Sequence, residues 1–175
     1  MGGNIAVEST QGAGSCFTVT LPFNFTHRAE PVLQTHITTV SNCNGQSLRI
    51  LFVEDNTISI DFGRSLLKKL GHEVTAVENG KECIVALEQG KFDLVLMDIN
   101  MPVMNGEDAL REIRRKEQGT TSHLPVIALT AYSMRGDRER FIEEGFDGYV
   151  SKPLTVNELV DEMGRVMESR LKVEG

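Results

Sequence analysis

Hydrophobic positions along the chain follow three successive patterns. Over residues 1–23 they alternate: Ile5 and Val7, then Phe17, Val19, Leu21 and Phe23, stand between small or polar neighbours. The cluster Ser9-Thr10-Gln11-Gly12-Ala13-Gly14-Ser15 separates the two runs and favours a turn. This predicts a β-hairpin with a bulky apolar face, which a lone hairpin cannot bury by itself. Residues 24–47, rich in Thr, Ser, Asn and Gln, hold neither a strand nor a helix period and read as a linker. From Leu48 onward short apolar runs alternate with amphipathic stretches.

The runs at Arg49–Glu54, Glu73–Val77, Asp93–Asp98, Val126–Thr130 and Gly148–Ser151 predict strands. Between them, Ile58, Phe62, Leu66 and Leu70 recur every fourth residue with Leu67 beside them, which predicts a helix closed by Gly71. Glu82–Gln89 is expected as a helix with Ile84 and Leu87 inward, and Glu107–Glu117 as one with Ala109, Leu110 and Ile113 inward. Arg135–Glu144 holds Phe141 and Ile142. Val156–Leu171 places Val156, Leu159, Val160, Met163, Val166 and Met167 on its buried side. Apolar strands alternating with amphipathic helices mean a parallel sheet covered on both faces. Right-handed crossovers with one reversal of winding make it an α/β, doubly wound, five-stranded sheet.

Composition narrows the function. The 18 basic and 25 acidic residues among 175 leave a net charge of −7, a surface that repels phosphate backbones and argues against nucleic acid as a partner. No apolar run approaches the ~20 residues of a membrane span, and the start lacks a signal peptide, so a cytoplasmic location is expected. Cys16, Cys43 and Cys83 are odd in number and widely spaced, and His27, His36, His72 and His123 lack metalloprotease spacing. Neither a disulfide framework nor a cysteine or histidine metal site is indicated. The sequon at Asn24 is read as accidental.

Open α/β sheets bind ligands at the carboxyl ends of their strands. The polar residues of this chain gather there: Glu54 and Asp55 after the first strand, Asp98 ending the third, Thr130 ending the fourth, and Lys152 after the fifth. Three clustered acids repel unless a cation joins them, and an oxygen-only set suits Mg²⁺. A carboxylate beside Mg²⁺ and a lysine is a good phosphoryl acceptor, needing no activated Ser or Cys. Asp98 leads into a Met-Pro loop and is therefore expected at an open strand end rather than deep in a cleft.

These residues carry a family resemblance. Ile50-Leu51-Phe52-Val53-Glu54-Asp55-Asn56, Met97-Asp98-Ile99-Asn100-Met101-Pro102-Val103-Met104-Asn105-Gly106, Ala128-Leu129-Thr130-Ala131 and Gly145-Phe146-Asp147-Gly148-Tyr149-Val150-Ser151-Lys152-Pro153-Leu154 stand in order on the expected elements. Residues 48–172 thus resemble a response-regulator receiver domain of two-component systems, with its flavodoxin-like fold. The resemblance implies that Asp98 accepts a phosphoryl group from a phosphohistidine on a histidine kinase or a histidine phosphotransfer protein. It implies Mg²⁺ held by Asp55 and Asp98, by Glu54 through water, and by the backbone carbonyl of Asn100. It further implies that Lys152 pairs with the phosphoryl group, that Thr130 and Tyr149 act as a switch, and that the Lys152–Pro153 bond is cis. Residues 1–23 resemble the closing hairpin of a histidine-kinase ATPase domain, so the layout is that of a hybrid kinase's carboxyl end. The kinase elements that would bind ATP are absent from the sequence, and the chain is expected to be a phosphoacceptor rather than an enzyme.

Each residue also has a plainer reading. Glu54-Asp55 suits a helix N-cap, Thr130 a β-branched strand position, Lys152 a solvated surface and Tyr149 a core aromatic. Aspartate-nucleophile phosphatases offer a rival activity on a similar sheet. Their second aspartate, two residues after the nucleophile, is here Asn100. A binding module that has lost phosphotransfer is the other rival, and retention of all five polar residues speaks against it.

Overall fold

The computed structural model describes residues 3–10, 14–20, 47–131 and 137–173. The expected turn centre at 11–13, strand positions Leu21 and Phe23, linker residues 24–46 and the helix start at Arg135 lie outside the described residues. The chain forms two compact units, 1–38 and 39–175.

In the first unit β1 (Asn4–Thr10) pairs antiparallel with β2 (Gly14–Thr20). Ile5 faces Val19 and Val7 faces Phe17 across the ladder, so the four apolar side chains share one face of the ribbon.

The second unit runs β3 (Arg49–Val53), α1 (Thr57–Lys69), β4 (Glu73–Val77), α2 (Gly80–Gln89), β5 (Leu94–Asp98), α3 (Gly106–Glu117), β6 (Val126–Thr130), α4 (Asp137–Glu144), β7 (Gly148–Ser151) and α5 (Val156–Val173). Its strands form one parallel sheet in the order β4-β3-β5-β6-β7. The chain winds from β3 to β4, then crosses back past β3 to β5. That reversal opens the crevice at the carboxyl ends of β3 and β5.

Period-two alternation divides each central strand between two cores. Leu51, Val53, Val95, Met97, Val126 and Ala128 pack with Ala109, Leu110 and Ile113 of α3 and Phe141 of α4. Ile50, Phe52, Leu94, Leu96, Ile127 and Leu129 pack on the other face with Leu67 of α1 and with Leu159, Met163 and Val166 of α5. β5 and β6 are buried along their whole length.

The starts of α1, α2 and α3 are fixed by asparagines. The Asn56 side chain accepts from the N–H groups of Ile58 and Ser59, Asn79 from Glu82 and Asn105 from Asp108. Asn56, not Glu54 or Asp55, is therefore the N-cap of α1. The fourfold repeat on α1 coincides only in part with its buried face: Leu67 is buried and Leu66 packs against the core as expected, Ile60 and Gly63 complete the face, and Ile58 is 78% and Phe62 53% exposed. Phe52 of β3 lies under the helix, and a Cβ at Gly63 would come within 2.6 Å of its ring. Ile142 and Val156 are likewise exposed, while Phe141 and Leu159 are buried as expected. Among the described residues no helix is long and apolar enough to cross a membrane.

Candidate functional site

The carboxyl ends of β3, β5 and β6, with the turn after β7, bring the polar residues of four separate motifs together. Glu54 directly follows β3, where its N–H donates to the Val77 carbonyl at 3.1 Å. Asp98 ends β5, and Thr130 ends the neighbouring strand β6, where the Leu129 carbonyl accepts from Ile99 at 3.1 Å. Carboxylate oxygens of Glu54, Asp55 and Asp98 all lie within 4.8 Å of one another. Lys152 reaches into this group: its Nζ donates to Glu54 Oε2 at 2.6 Å and pairs with Asp98 Oδ2 at 3.0 Å. The Lys152–Pro153 bond is cis, as expected, and the Lys152 N–H donates to the Thr130 carbonyl at 2.7 Å.

Burial sets the electrostatics. Glu54, Asp98 and Thr130 are buried, whereas Asp55 is exposed. The expectation that the acceptor candidate stands at an open strand end is thus corrected: Asp98 is 4% exposed. Its carboxylate is held between Lys152 Nζ and the Asn100 N–H, and the start of α3 packs against its backbone. Gly106 at the start of α3 donates to the Ile99 carbonyl at 3.0 Å, and a Cβ there would fall 2.4 Å from the Asp98 carbonyl oxygen. Only glycine permits that approach. Gly106 lies within the Asp98 motif without bearing any chemistry of its own, and the Asn105-Gly106 pair at a helix start is the sequence signal for its role.

Burial pushes the Glu54 carboxyl above its ordinary value, with the hydrogen bond from Lys152 opposing it. Burial also works against the Lys152 ammonium, yet its bonds to Glu54 and Asp98 outweigh the loss and hold it above the usual lysine value. Lys152 is therefore a fixed positive charge among three acids.

The other two candidate residues sit differently. Asn100 is exposed and its backbone N–H donates to Asp98 Oδ1 at 3.4 Å. Tyr149 is half-buried on β7, its ring stacked on Phe141 with centroids 6.5 Å apart and 23° between planes. In the β6–β7 register it pairs with Ala128, two residues before Thr130.

Chemically the cluster offers oxygen donors only, one of them solvent-facing and two buried. That set fits a hard divalent cation such as Mg²⁺, which keeps several waters. The ammonium at 2.6–3.0 Å from two of the acids fits a further anion arriving beside them.

A parallel five-stranded sheet with an acidic pocket and a lysine at its carboxyl edge defines a receiver domain. The family profile for the response regulator receiver domain matches residues 50–163, more than half of the chain, and the chain belongs to that family. It is a receiver domain of two-component and phosphorelay signalling, homologous to the receivers of hybrid histidine kinases. Among its relatives, the aerobic respiration control sensor protein ArcB of Escherichia coli K12 is 35% identical over 159 residues, 89% of this chain and 19% of ArcB. Sensor protein GacS of Pseudomonas syringae is 40% identical over 112 residues, 63% of this chain and 12% of GacS. The chain thus spans a fifth or less of these relatives' length. A crystal structure of the receiver domain of a sensor histidine kinase from Pseudomonas aeruginosa, with a magnesium ion coordinated in its active-site cleft, is 36% identical. It superposes with a TM-score of 0.62 over 70% of this chain and 99% of that one.

Proposed function

We propose that Asp98 is the phosphoacceptor of this receiver and that a phosphohistidine on a histidine kinase or phosphotransfer protein is the donor. The observation that carries the reading is the Lys152 ammonium shared between Glu54 and Asp98, with Asp55 completing the acidic group within 4.8 Å. Asp98 Oδ attacks phosphorus, the P–N bond breaks as the P–O bond forms, and the imidazole leaves with the electron pair of the broken bond. Glu54, Asp55 and Asp98, with the Asn100 carbonyl, would hold Mg²⁺, which when bound neutralises charge on the phosphoryl oxygens. Lys152, anchored by its bond to Glu54 Oε2, supplies a second positive charge to the phosphoryl oxygens. The Thr130 hydroxyl supplies a neutral donor from the adjacent strand end.

In the same reading Thr130 and Tyr149 form the switch, and the face of α4, β7 and α5 changes its binding when Asp98 is modified. Residues 48–172 are the receiver, 24–47 a linker and 1–23 a hairpin of the kind that closes a histidine-kinase ATPase domain. The chain acts in the cytoplasm as an acceptor rather than as a turnover enzyme. The test is transfer from a radiolabelled phosphohistidine donor followed by peptide mapping. The reading expects a hydroxylamine-labile acyl phosphate on the peptide containing Asp98; a hydroxylamine-resistant label, or one on Glu54 or a histidine, would overturn it.

A further inference from the structure

β7 is a terminal strand of the sheet, so among the described residues one of its backbone edges has no strand beside it. Such edges invite pairing with another chain. In a parallel ladder one residue of an incoming strand accepts from the N–H of residue i+1 and donates to the C=O of residue i−1. Around Gly148 those two groups are the Tyr149 N–H and the Asp147 C=O. Both are already engaged, and by side chains of α5. The Tyr149 N–H donates to Glu162 Oε1 at 3.1 Å, and Arg165 Nη2 donates to the Asp147 carbonyl at 2.6 Å. The two side chains are joined to each other, Arg165 Nη2 to Glu162 Oε1 at 2.7 Å and Arg165 Nε to Glu162 Oε2 at 2.8 Å. One acceptor and one donor, linked and correctly spaced, thus stand where a strand residue would present its C=O and N–H.

Gly148 is part of the arrangement. A Cβ there would fall 2.5 Å from Glu162 Oε1 and 3.0 Å from Arg165 Nη2, so the pair occupies the space of the missing side chain. Burial of Glu162 is outweighed by the bonds from Arg165 and the Tyr149 N–H, and its carboxyl lies below the ordinary range.

We propose that the Glu162–Arg165 pair is an edge cover that closes β7 to strand pairing with a second copy of this chain. Contacts on the face of α4, β7 and α5 are then made by side chains and not by sheet extension. The experiment uses the full chain, comparing the parent with Glu162→Ala/Arg165→Ala, with Gly148→Ala, which displaces the pair by steric overlap, and with Glu162→Gln, which keeps an acceptor oxygen. Exchange of the Tyr149 amide is followed in dilute solution and sedimentation over a concentration series. The proposal expects Tyr149 exchange to speed up about tenfold or more in the double variant and in Gly148→Ala, with the Leu96 amide unchanged. It expects both to self-associate at concentrations where the parent and Glu162→Gln do not. Parent-like Tyr149 exchange in the double variant, or faster exchange with the parent's association state at every concentration, would overturn it.

Discussion

Individual residues decide the chemistry through burial. Asp98 is the less accessible of the two pocket aspartates, and it is the one that pairs with Lys152. Lys152→Ala should remove the charge opposite Glu54 and Asp98 and impair the response to phosphorylation more than phosphoryl uptake. A ratio of labelling rate to conformational response that is unchanged from the parent would contradict this. Two residues outside the site report on the fold. Cys83 is fully buried, and burial pushes its thiol up to about 12, so at neutral pH it is a protonated, inert core residue. A thiol reagent should label Cys16 in the native chain and Cys83 only after denaturation, which peptide mapping checks. His72 is buried, its Nδ1 accepts from the Leu48 N–H at 3.3 Å, and burial lowers its pKa. The unfolded chain then takes up the proton first. The contribution of neutral His72 is complete above the unfolded value of about 6.5 and is lost as pH falls from there toward the folded value. Urea midpoints from about pH 8 to about pH 5 should fall more steeply for the parent than for His72→Asn, which keeps an acceptor without titrating. Equal slopes would show that His72 carries no linkage.

At the level of elements, the sequence was informative about strands and less so about helix faces. β5 and β6 are continuous apolar runs, and such runs have one buried solution in a two-sided sheet. The carboxyl ends of β3, β5 and β6, and hence Glu54, Asp98 and Thr130, follow from pattern alone. α1 offered two competing stripes. The fourfold series Ile58, Phe62, Leu66, Leu70 carries more apolar mass, but Gly63 has no side chain to count and is the position that fits over Phe52. A glycine that permits close packing is invisible to a hydrophobicity pattern. The consequence is measurable: Ile58→Ser should change stability by about 0.5 kcal/mol or less, while Leu67→Ala should cost about 2–5 kcal/mol. Denaturant titration separates them, and a large loss for Ile58→Ser would return that residue to the core. The Glu162–Arg165 contact with β7 was not legible either, because it joins residues 13 and 18 positions apart across a turn and a helix and follows no period.

For the molecule as a whole, the receiver contains both cores and every residue of the acidic pocket within 48–172. The hairpin is a two-stranded ribbon, an arrangement with little stability of its own. Removing residues 1–47 should leave phosphoacceptance and the receiver's cooperative unfolding intact; loss of either would make the hairpin integral to the domain. The family match and the pocket's donor set agree on a phosphoacceptor chemistry, and the central question is which carboxylate performs it. The most direct measurement is intact mass of the parent and of Asp98→Asn after incubation with a phosphorylated histidine donor, with Mg²⁺ and with a chelator. The two side chains are nearly isosteric, so matching amide spectra establish that the variant is folded. The parent should gain one phosphoryl group with Mg²⁺ and much less with chelator, and folded Asp98→Asn should gain none. Phosphoryl gain by Asp98→Asn at the parent's rate would contradict it.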